Sequence, residues 1–203
     1  MMDSMRDYAS GQISEAKRVI EAMLASDLLL SSLERAAQAC VACMKSGGRV
    51  LLAGNGGSAA DAQHIAGEFL SRLNFDRNPL PAIALTTDTS VLTAIGNDYG
   101  FEKIFARQVA GLGRAGDVFI AISTSGRSPN VLAALMAARE IGIKTVGFTG
   151  SNSSGMRALC NLCLCAPSVE TPQIQQIHIV AAHVICGLVE HDLFGRVTKQ
   201  APV

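Results

Sequence analysis

The sequence has no excess of charge of either sign: 17 Lys and Arg balance 17 Asp and Glu over 203 residues, so the formal net charge is zero. Binding to a nucleic-acid backbone normally needs a basic excess or a basic stripe, so we expect no nucleic-acid partner. Hydrophobic residues make up 49% of the chain and charged residues 17%. This is enough apolar surface for a substantial core and too little net charge for a disordered chain. The composition predicts a globular protein.

The sequence also has no long hydrophobic run, and we expect no secretory leader. The longest apolar stretch, residues 177–189, is shorter than the roughly 20 residues that span a bilayer, and it carries His178 and His183. The first ten residues lack the basic start and apolar run of a secretory signal. We therefore expect no membrane association and a cytoplasmic location.

Six cysteines include two Cys-x-x-Cys pairs, Cys40 with Cys43 and Cys160 with Cys163, a spacing that also occurs in zinc sites. The first pair lies in an alanine-rich helical pattern, and the second lies in or beside an apolar strand. A free cysteine in such a place behaves as a small hydrophobic residue, and disulfides are rare in a reducing compartment. We therefore favour a packing role over a cysteine zinc site.

Helical patterns and short apolar runs alternate along the chain. Apolar residues recur at spacings of three and four from Tyr8 to Ser46, which predicts two helices broken near Asp27. Short apolar runs then end in loops rich in Gly, Ser or Thr, at residues 49–53, 82–85, 117–122, 144–148 and 162–165. Helical patterns follow at residues 59–73, 91–95, 101–112, 130–141 and 172–194.

This alternation implies a parallel sheet covered by helices on both faces. The sequence therefore predicts a doubly wound α/β fold with an N-terminal helical extension. No repeat or linker divides the chain, so we expect one domain over residues 1–203. It comprises N-terminal helices over 1–46, an α/β core with the last helix over 47–194, and a frayed tail over 195–203.

Two of the loops suit a phosphate or a sugar, because ligands collect at the carboxyl ends of parallel strands. "GNGGS" (54–58) has glycines that let backbone N–H groups approach a ligand, and a helix N-terminus follows it. "STSGRS" (123–128) has four closely spaced hydroxyls. Alone, the second loop is as easily an ordinary polar turn; both together favour a phosphate site. Asn97 and Asp98, in "GNDYG", read by themselves as a helix end.

A dinucleotide site is the competing interpretation of the glycine loop. Gly54, Gly56 and Ala59 fit a loose G-x-G-x-x-(G/A) pattern, but Asp88 lies well past the usual spacing of a ribose-binding acid. The chain also has no G-x-x-x-x-G-K-(S/T) phosphate loop. We therefore disfavour NAD and nucleotide hydrolysis.

Polar residues stand out on two otherwise apolar helices. His64 and Glu68 are four residues apart, so they share one helix face and can bind one metal ion or act on one ligand, although an ordinary surface pair is commoner. Gln175, His178 and His183 interrupt the last helix, where buried polar groups need partners. Helical geometry leaves open which of the two histidines joins a site.

Four segments together resemble the sugar isomerase (SIS) domain family, and within it the isomerases of heptose phosphates. They are "GNGGSAADAQHIAGEF", "PAIALTTDTSVLTAIGNDYG", "GDVFIAISTSGRSPNV" and "IQQIHIVAAHVICGLVEHDLF". The resemblance runs in colinear order over nearly the whole chain. It implies a SIS fold with a five-stranded parallel sheet in a flavodoxin-like order, and a homotetramer with active sites where subunits meet. It also implies conversion of D-sedoheptulose 7-phosphate to D-glycero-D-manno-heptose 7-phosphate, the first step toward the heptose of bacterial lipopolysaccharide and related glycoconjugates.

The resemblance also assigns site residues by position. The family's substrate contacts fall on Asn55, Gly56, Gly57, Glu68, Asn97, Asp98, Ser123, Thr124, Ser125, Ser128 and Gln175, with the serine loop holding the phosphate. Its metal ligands, usually for one zinc ion per subunit, fall on His64, Glu68, Gln175 and His183. His178 then has no assigned role, and Gln176 stands where many members have Glu.

The expected chemistry needs two proton carriers. Moving a carbonyl from C2 to C1 through an enediol requires a base that takes a proton from C1 and returns one to C2, a role we give to Glu68. A second group must move protons between the two oxygens, which suits the imidazole of His183. A metal can polarise those oxygens or simply order its ligands, and the sequence leaves this open.

Two other functions compete with this one. A non-catalytic SIS protein that binds the bacterial replication initiator would share the glycine and serine loops. Such a binding module has no need of Glu68 with His64, Gln175 and His183, so this set favours the enzyme. The other alternative is an isomerase of a different phosphosugar, because phosphate loops say little about the length of the sugar.

Overall fold

The N-terminal extension consists of two helices, α1 (Met5–Leu24) and α2 (Asp27–Lys45), in a computed structural model that describes residues 4–152 and 154–195. Ser26 separates the two helices, and its hydroxyl accepts a hydrogen bond from the Leu29 amide at the start of α2. The predicted break near Asp27 is confirmed. Most of the predicted tail, from residue 196 onward, lies outside the described residues.

A five-stranded parallel sheet forms the centre of the molecule. Its strands are β1 (Val50–Gly54), β2 (Ala82–Ala84), β3 (Val118–Ile122), β4 (Lys144–Thr149) and β5 (Leu162–Cys165), in the order β2-β1-β3-β4-β5. All four pairings are parallel. The predicted doubly wound, flavodoxin-like order is therefore confirmed. The strand order reverses between β1 and β3, which is where such sheets bind ligands.

The remaining helices follow the predicted alternation with some changes of length. They are α3 (Gly57–Leu70), α4 (Thr89–Tyr99), α5 (Ile104–Leu112), α6 (Pro129–Ile141), α7 (Ser154–Arg157) and α8 (Thr171–Phe194), with a 3₁₀ turn at Phe101–Lys103 before α5. The short α7 was not predicted. The predicted helix over 91–95 is too short, because the Asp88 side chain accepts from the Val91 amide and starts α4 at Thr89.

Helix α3 ends at Leu70, three residues before the predicted end at Leu73. The backbone N–H groups of Leu73 and Asn74 donate to the carboxylate of Glu190 on α8, at 2.8 and 3.0 Å. Those amides are therefore not available for helical hydrogen bonds, and the prediction is wrong at this end.

Both faces of the sheet are buried. Leu52, Ile120 and Phe148 belong to the core on the side of α2, α3 and α8, whereas Leu51 and Phe119 belong to the core on the side of α5 and α6. Successive strand residues thus point to opposite cores, as a sheet covered on both sides requires.

Helix α8 is a core helix. Among the described residues it is the one helix long and apolar enough to cross a membrane, but it packs on α2, α3 and the sheet, and it buries the polar side chains of His178 and Glu190. Cys40, Cys43 and Cys186 are buried in the same core. Burial raises the pKa of the Cys40 thiol to about 12, in keeping with a packing role.

Candidate active site

The glycine loop and the serine loop begin side by side. Gly54, the last residue of β1, pairs with Ile122, the last residue of β3. A Cβ on Gly54 would lie 2.6 Å from the Ser58 carbonyl oxygen, so only glycine lets α3 start this close to the strand. Gly56 has φ of +56° just before α3. The loop therefore presents the N-terminus of α3 at the edge of the sheet where anions bind.

A pair of asparagine amides joins the glycine loop to the start of α6, directly after the serine loop. Asn55 Nδ2 donates to Asn130 Oδ1 at 2.9 Å, and Asn130 Nδ2 donates back to Asn55 Oδ1 at 2.8 Å. Asn130 is fully buried at the start of α6, and its Oδ1 also accepts from the Val131 amide. The Asn55 side chain thus holds the loops together. The sequence reasoning missed Asn130, whose position just after the helix-starting Pro129 was the available signal.

The serine loop is held by its own hydroxyls. Ser123 is buried, and its Oγ lies 2.9 Å from Ser128 Oγ. Ser125 Oγ accepts a hydrogen bond from the Arg127 amide at 3.2 Å. Ser128 directly precedes α6. The loop therefore turns back on itself with its hydroxyls and amides close to a helix N-terminus, an arrangement that suits a phosphate.

A polar cavity of about 200 Å³ opens beside this loop. It is lined by Thr124, Ser125, Arg127, Gly150, Ser151, Asn152, Ser168, Val169, Thr171 and Ile174. The backbone ties the loop to the strand end next to it, since the Gly150 amide donates to the Thr124 carbonyl at 3.0 Å. Hydroxyls, backbone amides and one guanidinium make this cavity suitable for an anionic group.

Three predicted metal ligands meet between α3 and α8. His64 Nε2 lies 2.9 Å from His183 Nε2 and 3.3 Å from Glu68 Oε1, and one ligand atom from each residue falls within 4.8 Å of the other two. Among the described residues this is the one such group of His, Cys, Asp and Glu. Two imidazoles and a carboxylate are a donor set that zinc accepts, with a further position left for another ligand.

The side chain of Gln175, the fourth predicted ligand, reaches from α8 to the beginning of α3. A Cβ added to Gly57 would collide with the Gln175 side-chain amide, so the glycine is needed for this contact. The arrangement brings Gln175 of α8 to the glycine loop. Its part in metal binding stays a prediction.

Asn97 and Asp98 lie in the last turn of α4, as the helix end that the residues alone suggest. Both are exposed, and Asn97 Nδ2 donates to Asp98 Oδ1 at 2.8 Å. No side chain of α4 is fully buried. Their predicted contact with substrate is not tested by this arrangement.

Asp61 is a further acidic group beside the ligands, one turn before His64 on α3. Its Oδ2 is buried and has no hydrogen-bond partner among the described residues. Burial raises the pKa of this carboxyl group, and the nearby His64 acts in the opposite direction. Its spacing of three from His64 was the sequence signal that could have found it.

Comparison with known proteins identifies the family of this chain. The SIS domain family model matches residues 13–150. A phosphoheptose isomerase of Burkholderia pseudomallei is 60% identical over 189 residues, which covers 93% of this chain and 96% of the relative. The chain belongs to the SIS domain family, among its phosphoheptose isomerases. The resemblance seen in the sequence is confirmed.

Solved structures of SIS domain isomerases show the same architecture. A phosphoheptose isomerase from Neisseria gonorrhoeae superposes with a TM-score of 0.86 at 39% identity, over 92% of this chain and 99% of that one. A phosphoheptose isomerase from Francisella tularensis gives a TM-score of 0.89 at 34% identity, over 93% and 99% of the two chains. The predicted SIS fold is therefore confirmed, and the chain is a phosphosugar isomerase.

Proposed function

We propose that this chain interconverts D-sedoheptulose 7-phosphate and D-glycero-D-manno-heptose 7-phosphate, the aldose–ketose isomerisation that begins heptose synthesis for bacterial lipopolysaccharide. The observation that carries the proposal is the meeting of Glu68, His64 and His183 in a chain 60% identical to a phosphoheptose isomerase. A binding module would have no use for this carboxylate and these imidazoles. The polar cavity beside the serine loop supports a phosphorylated substrate.

Glu68 carries a proton between two neighbouring carbons of the substrate. It takes the proton from C1 of the ketose, the C–H electron pair forms the C1–C2 double bond, and the carbonyl oxygen on C2 gains a proton. His183 serves the oxygens: it supplies the proton to the oxygen on C2 and removes the proton from the oxygen on C1. The proton on Glu68 exchanges with solvent at the enediol stage. Glu68 then gives a proton to C2, which leaves the aldehyde at C1.

The glycine and serine loops hold the sugar for this transfer. Ser123, Thr124, Ser125 and Ser128 bind the phosphate with hydroxyl and amide groups near the N-terminus of α6. Residues 55–57 place the other end of the sugar at the N-terminus of α3, next to Gln175. Asn97 and Asp98 contact the hydroxyls of the chain. Fixing the substrate in this way lowers the entropy cost of bringing the reacting groups together during the reaction.

Zinc is the metal that the donor set fits best, with His64, Glu68 and His183 as ligands, Gln175 as the fourth, and one ion per subunit. Bound there, zinc would supply Lewis acidity to the substrate oxygens or simply order its ligands. The close approach of the two imidazoles and the carboxylate supports this assignment.

A homotetramer with sites at subunit contacts is supported by apolar side chains that the single chain leaves exposed. Met5, Tyr8 and Ile13 are exposed on α1, and Tyr99 and Phe101 are exposed after the predicted substrate residues of α4. Light scattering on the purified protein tests this assembly directly.

We place the enzyme in the cytoplasm, where sugar phosphates are made.

The function is tested by incubating the protein with sedoheptulose 7-phosphate in deuterated water and following the sugar by NMR. The expected product is the aldoheptose with deuterium at C2, formed by the wild type and abolished in Glu68→Gln. Glu140→Gln, the same change at an exposed position of α6, is the matched control and should keep full turnover. A parallel arm with a chelator tests the metal.

The outcome separates the competing functions. Conversion of a shorter ketose phosphate but not the heptulose would point to another phosphosugar. Binding of the sugar phosphate without any exchange of deuterium would indicate a non-catalytic SIS protein. Turnover by Glu68→Gln equal to the wild type would exclude Glu68 as the proton carrier.

A further inference from the structure

A buried ion pair joins the chain after α3 to the far half of α8. The side chains of Arg77 and Glu190 are almost wholly buried, with Arg77 Nε 2.9 Å from Glu190 Oε1. The carboxylate also accepts from the amides of Leu73 and Asn74, and from Asn74 Nδ2 at 3.1 Å. Burial opposes ionisation of Glu190, but these hydrogen bonds outweigh it and lower its pKa. We call this pair and its hydrogen bonds the clasp.

Arg77 also closes the end of α3. Its Nη2 donates to the Glu68 carbonyl at 2.7 Å, and its Nη1 donates to the Phe69 carbonyl at 2.7 Å. The last carbonyls of a helix have no partner inside it, and a cation there interacts favourably with the helix dipole. One guanidinium therefore holds the backbone of the proposed base and the carboxylate of α8 together.

The clasp lies on the same side of α8 as the ligand group. Glu190 follows His183 by seven residues, which is two helical turns and about 10 Å along the axis. Gly187 lies between them, and a Cβ there would contact the Asn74 side chain at 3.5 Å, so the chain after α3 packs closely on α8. The two helices are thus connected at two places: at His64, Glu68 and His183, and two turns further along α8 at the clasp.

Stability alone is a poor explanation for this arrangement. A buried ion pair often contributes no more to stability than apolar residues of similar size, because both charges lose their hydration. The ion pair also provides hydrogen bonds of defined geometry: Arg77 donates to the backbone of α3 and to the side chain of Glu190. Apolar packing lacks such directional contacts.

We propose that Arg77 and Glu190 are positioning residues, which hold α3 against α8 at the spacing that brings Glu68 and His64 to His183. Metal binding and proton transfer both depend on this spacing, so the inference deepens the proposed function and rests on it for the catalytic part. The metal-binding part is measured without substrate.

The test compares two buried carboxylates, each of which accepts hydrogen bonds from two backbone amides. Glu190→Gln weakens the clasp, because the amide keeps one acceptor oxygen and removes the charge that faces Arg77. Asp117→Asn is the matched control: Asp117 is buried directly before β3 and accepts hydrogen bonds from the Arg49 and Arg114 amides, both at 2.9 Å. Three quantities are measured: the melting temperature, the affinity for Zn²⁺ in competition with a chromophoric chelator, and kcat with KM.

Both variants should melt at lower temperature. Only Glu190→Gln should bind Zn²⁺ about tenfold or more weakly and lose kcat by a similar factor. Its KM should stay within about twofold of wild type, since Thr171 and Ile174 line the phosphate cavity at the other end of α8. Arg77→Lys retains the charge but not the forked geometry, and should lose less on both counts. If Glu190→Gln does not fold, Arg77→Lys against Asp117→Asn carries the same comparison.

The inference is overturned if the clasp variants bind Zn²⁺ and turn over no worse than Asp117→Asn at equal loss of melting temperature. Failure of the proposed function is recognised separately: the wild type would then be inactive on sedoheptulose 7-phosphate, while its Zn²⁺ affinity would still fall in Glu190→Gln.

Discussion

Acidification should destabilise the fold through one buried histidine, His178 on α8. The side chain is almost fully buried, its Nε2 lies 3.2 Å from the Thr149 carbonyl oxygen, and its ring packs 5.7 Å from that of Phe148. Its Nδ1 has no hydrogen-bond partner among the described residues. Burial lowers the pKa of His178 to about 4, and the hydrogen bond to Thr149 offsets only part of this.

The size of the effect follows from the two pKa values. In the unfolded chain the imidazole titrates at about 6.5, so between pH 6.5 and pH 4 the unfolded state binds a proton that the folded state does not. Stability is therefore unaffected above about pH 7 and falls as the pH drops, by about 1.4 kcal/mol per pH unit. At pH 5 the expected loss from His178 is about 2 kcal/mol. Because the pKa of Glu190 is lowered, the stabilisation by its ionised carboxylate is lost only at more acidic pH. Glu190 therefore adds little to the loss at pH 5.

The assay is urea unfolding at pH 7.5 and pH 5, at fixed protein concentration and with chelator present, for the wild type and His178→Gln. Glutamine keeps an N–H donor for the Thr149 carbonyl and does not titrate. The wild type should lose about 2 kcal/mol more than the variant between the two pH values. His64 and His183 are present in both proteins, so whatever they contribute cancels in this difference. The same loss in both proteins would refute the assignment to His178.

Three further predictions concern the loops. Asn130→Ala removes two hydrogen bonds to Asn55 and leaves the half-buried Asn55 amide without this partner, so the free energy of unfolding should fall by about 2 kcal/mol and the melting temperature by about 4–8 °C in calorimetry; an unchanged melting temperature would contradict it. Gly57→Ala should displace the Gln175 amide and lower kcat/KM about tenfold with little change in the melting temperature, and full activity would show that this contact is dispensable. Ser125→Ala should raise KM about tenfold at similar kcat through loss of a phosphate donor, and an unchanged KM would place the phosphate elsewhere.

Much of the fold could be predicted because each strand is a short apolar run that ends in a loop of small residues. This punctuation located all five strands to within about a residue, and it placed the glycine and serine loops at one edge of the sheet. The helix ends were less predictable. The end of α3 depends on Glu190, which is more than a hundred residues away in the chain, so no local pattern contains it.

The site could be predicted only in part from the residues themselves. Spacing paired His64 with Glu68, but His178 and His183 interrupt the same apolar helix, and geometry did not choose between them. The resemblance favoured His183, and the structure places it beside His64 while His178 faces the Thr149 carbonyl. What decides the difference is the neighbouring element that each side chain meets.

Two buried polar residues, Asn130 and Arg77, were missed for a related reason. Asn130 reads in the sequence as an ordinary residue at the start of a helix, and Arg77 reads as a surface charge in a polar loop. Both are buried with partners far away in the chain, Asn55 and Glu190. Whether a polar side chain is inside is decided by such a tertiary partner, since charged residues are rarely buried without one.

Helix α8 should tolerate substitutions on its exposed face but not insertions or deletions between Gln175 and Glu190. Gln175, His183 and Glu190 each meet a different part of the chain: the glycine loop, His64 and Arg77. Deleting or inserting one residue between them would turn the rest of the helix by about 100° and shift it by about 1.5 Å. At least one of the three contacts would then be lost. Substitutions on the exposed face can accumulate, whereas the number of residues from Gln175 to Glu190 should stay constant as the sequence drifts.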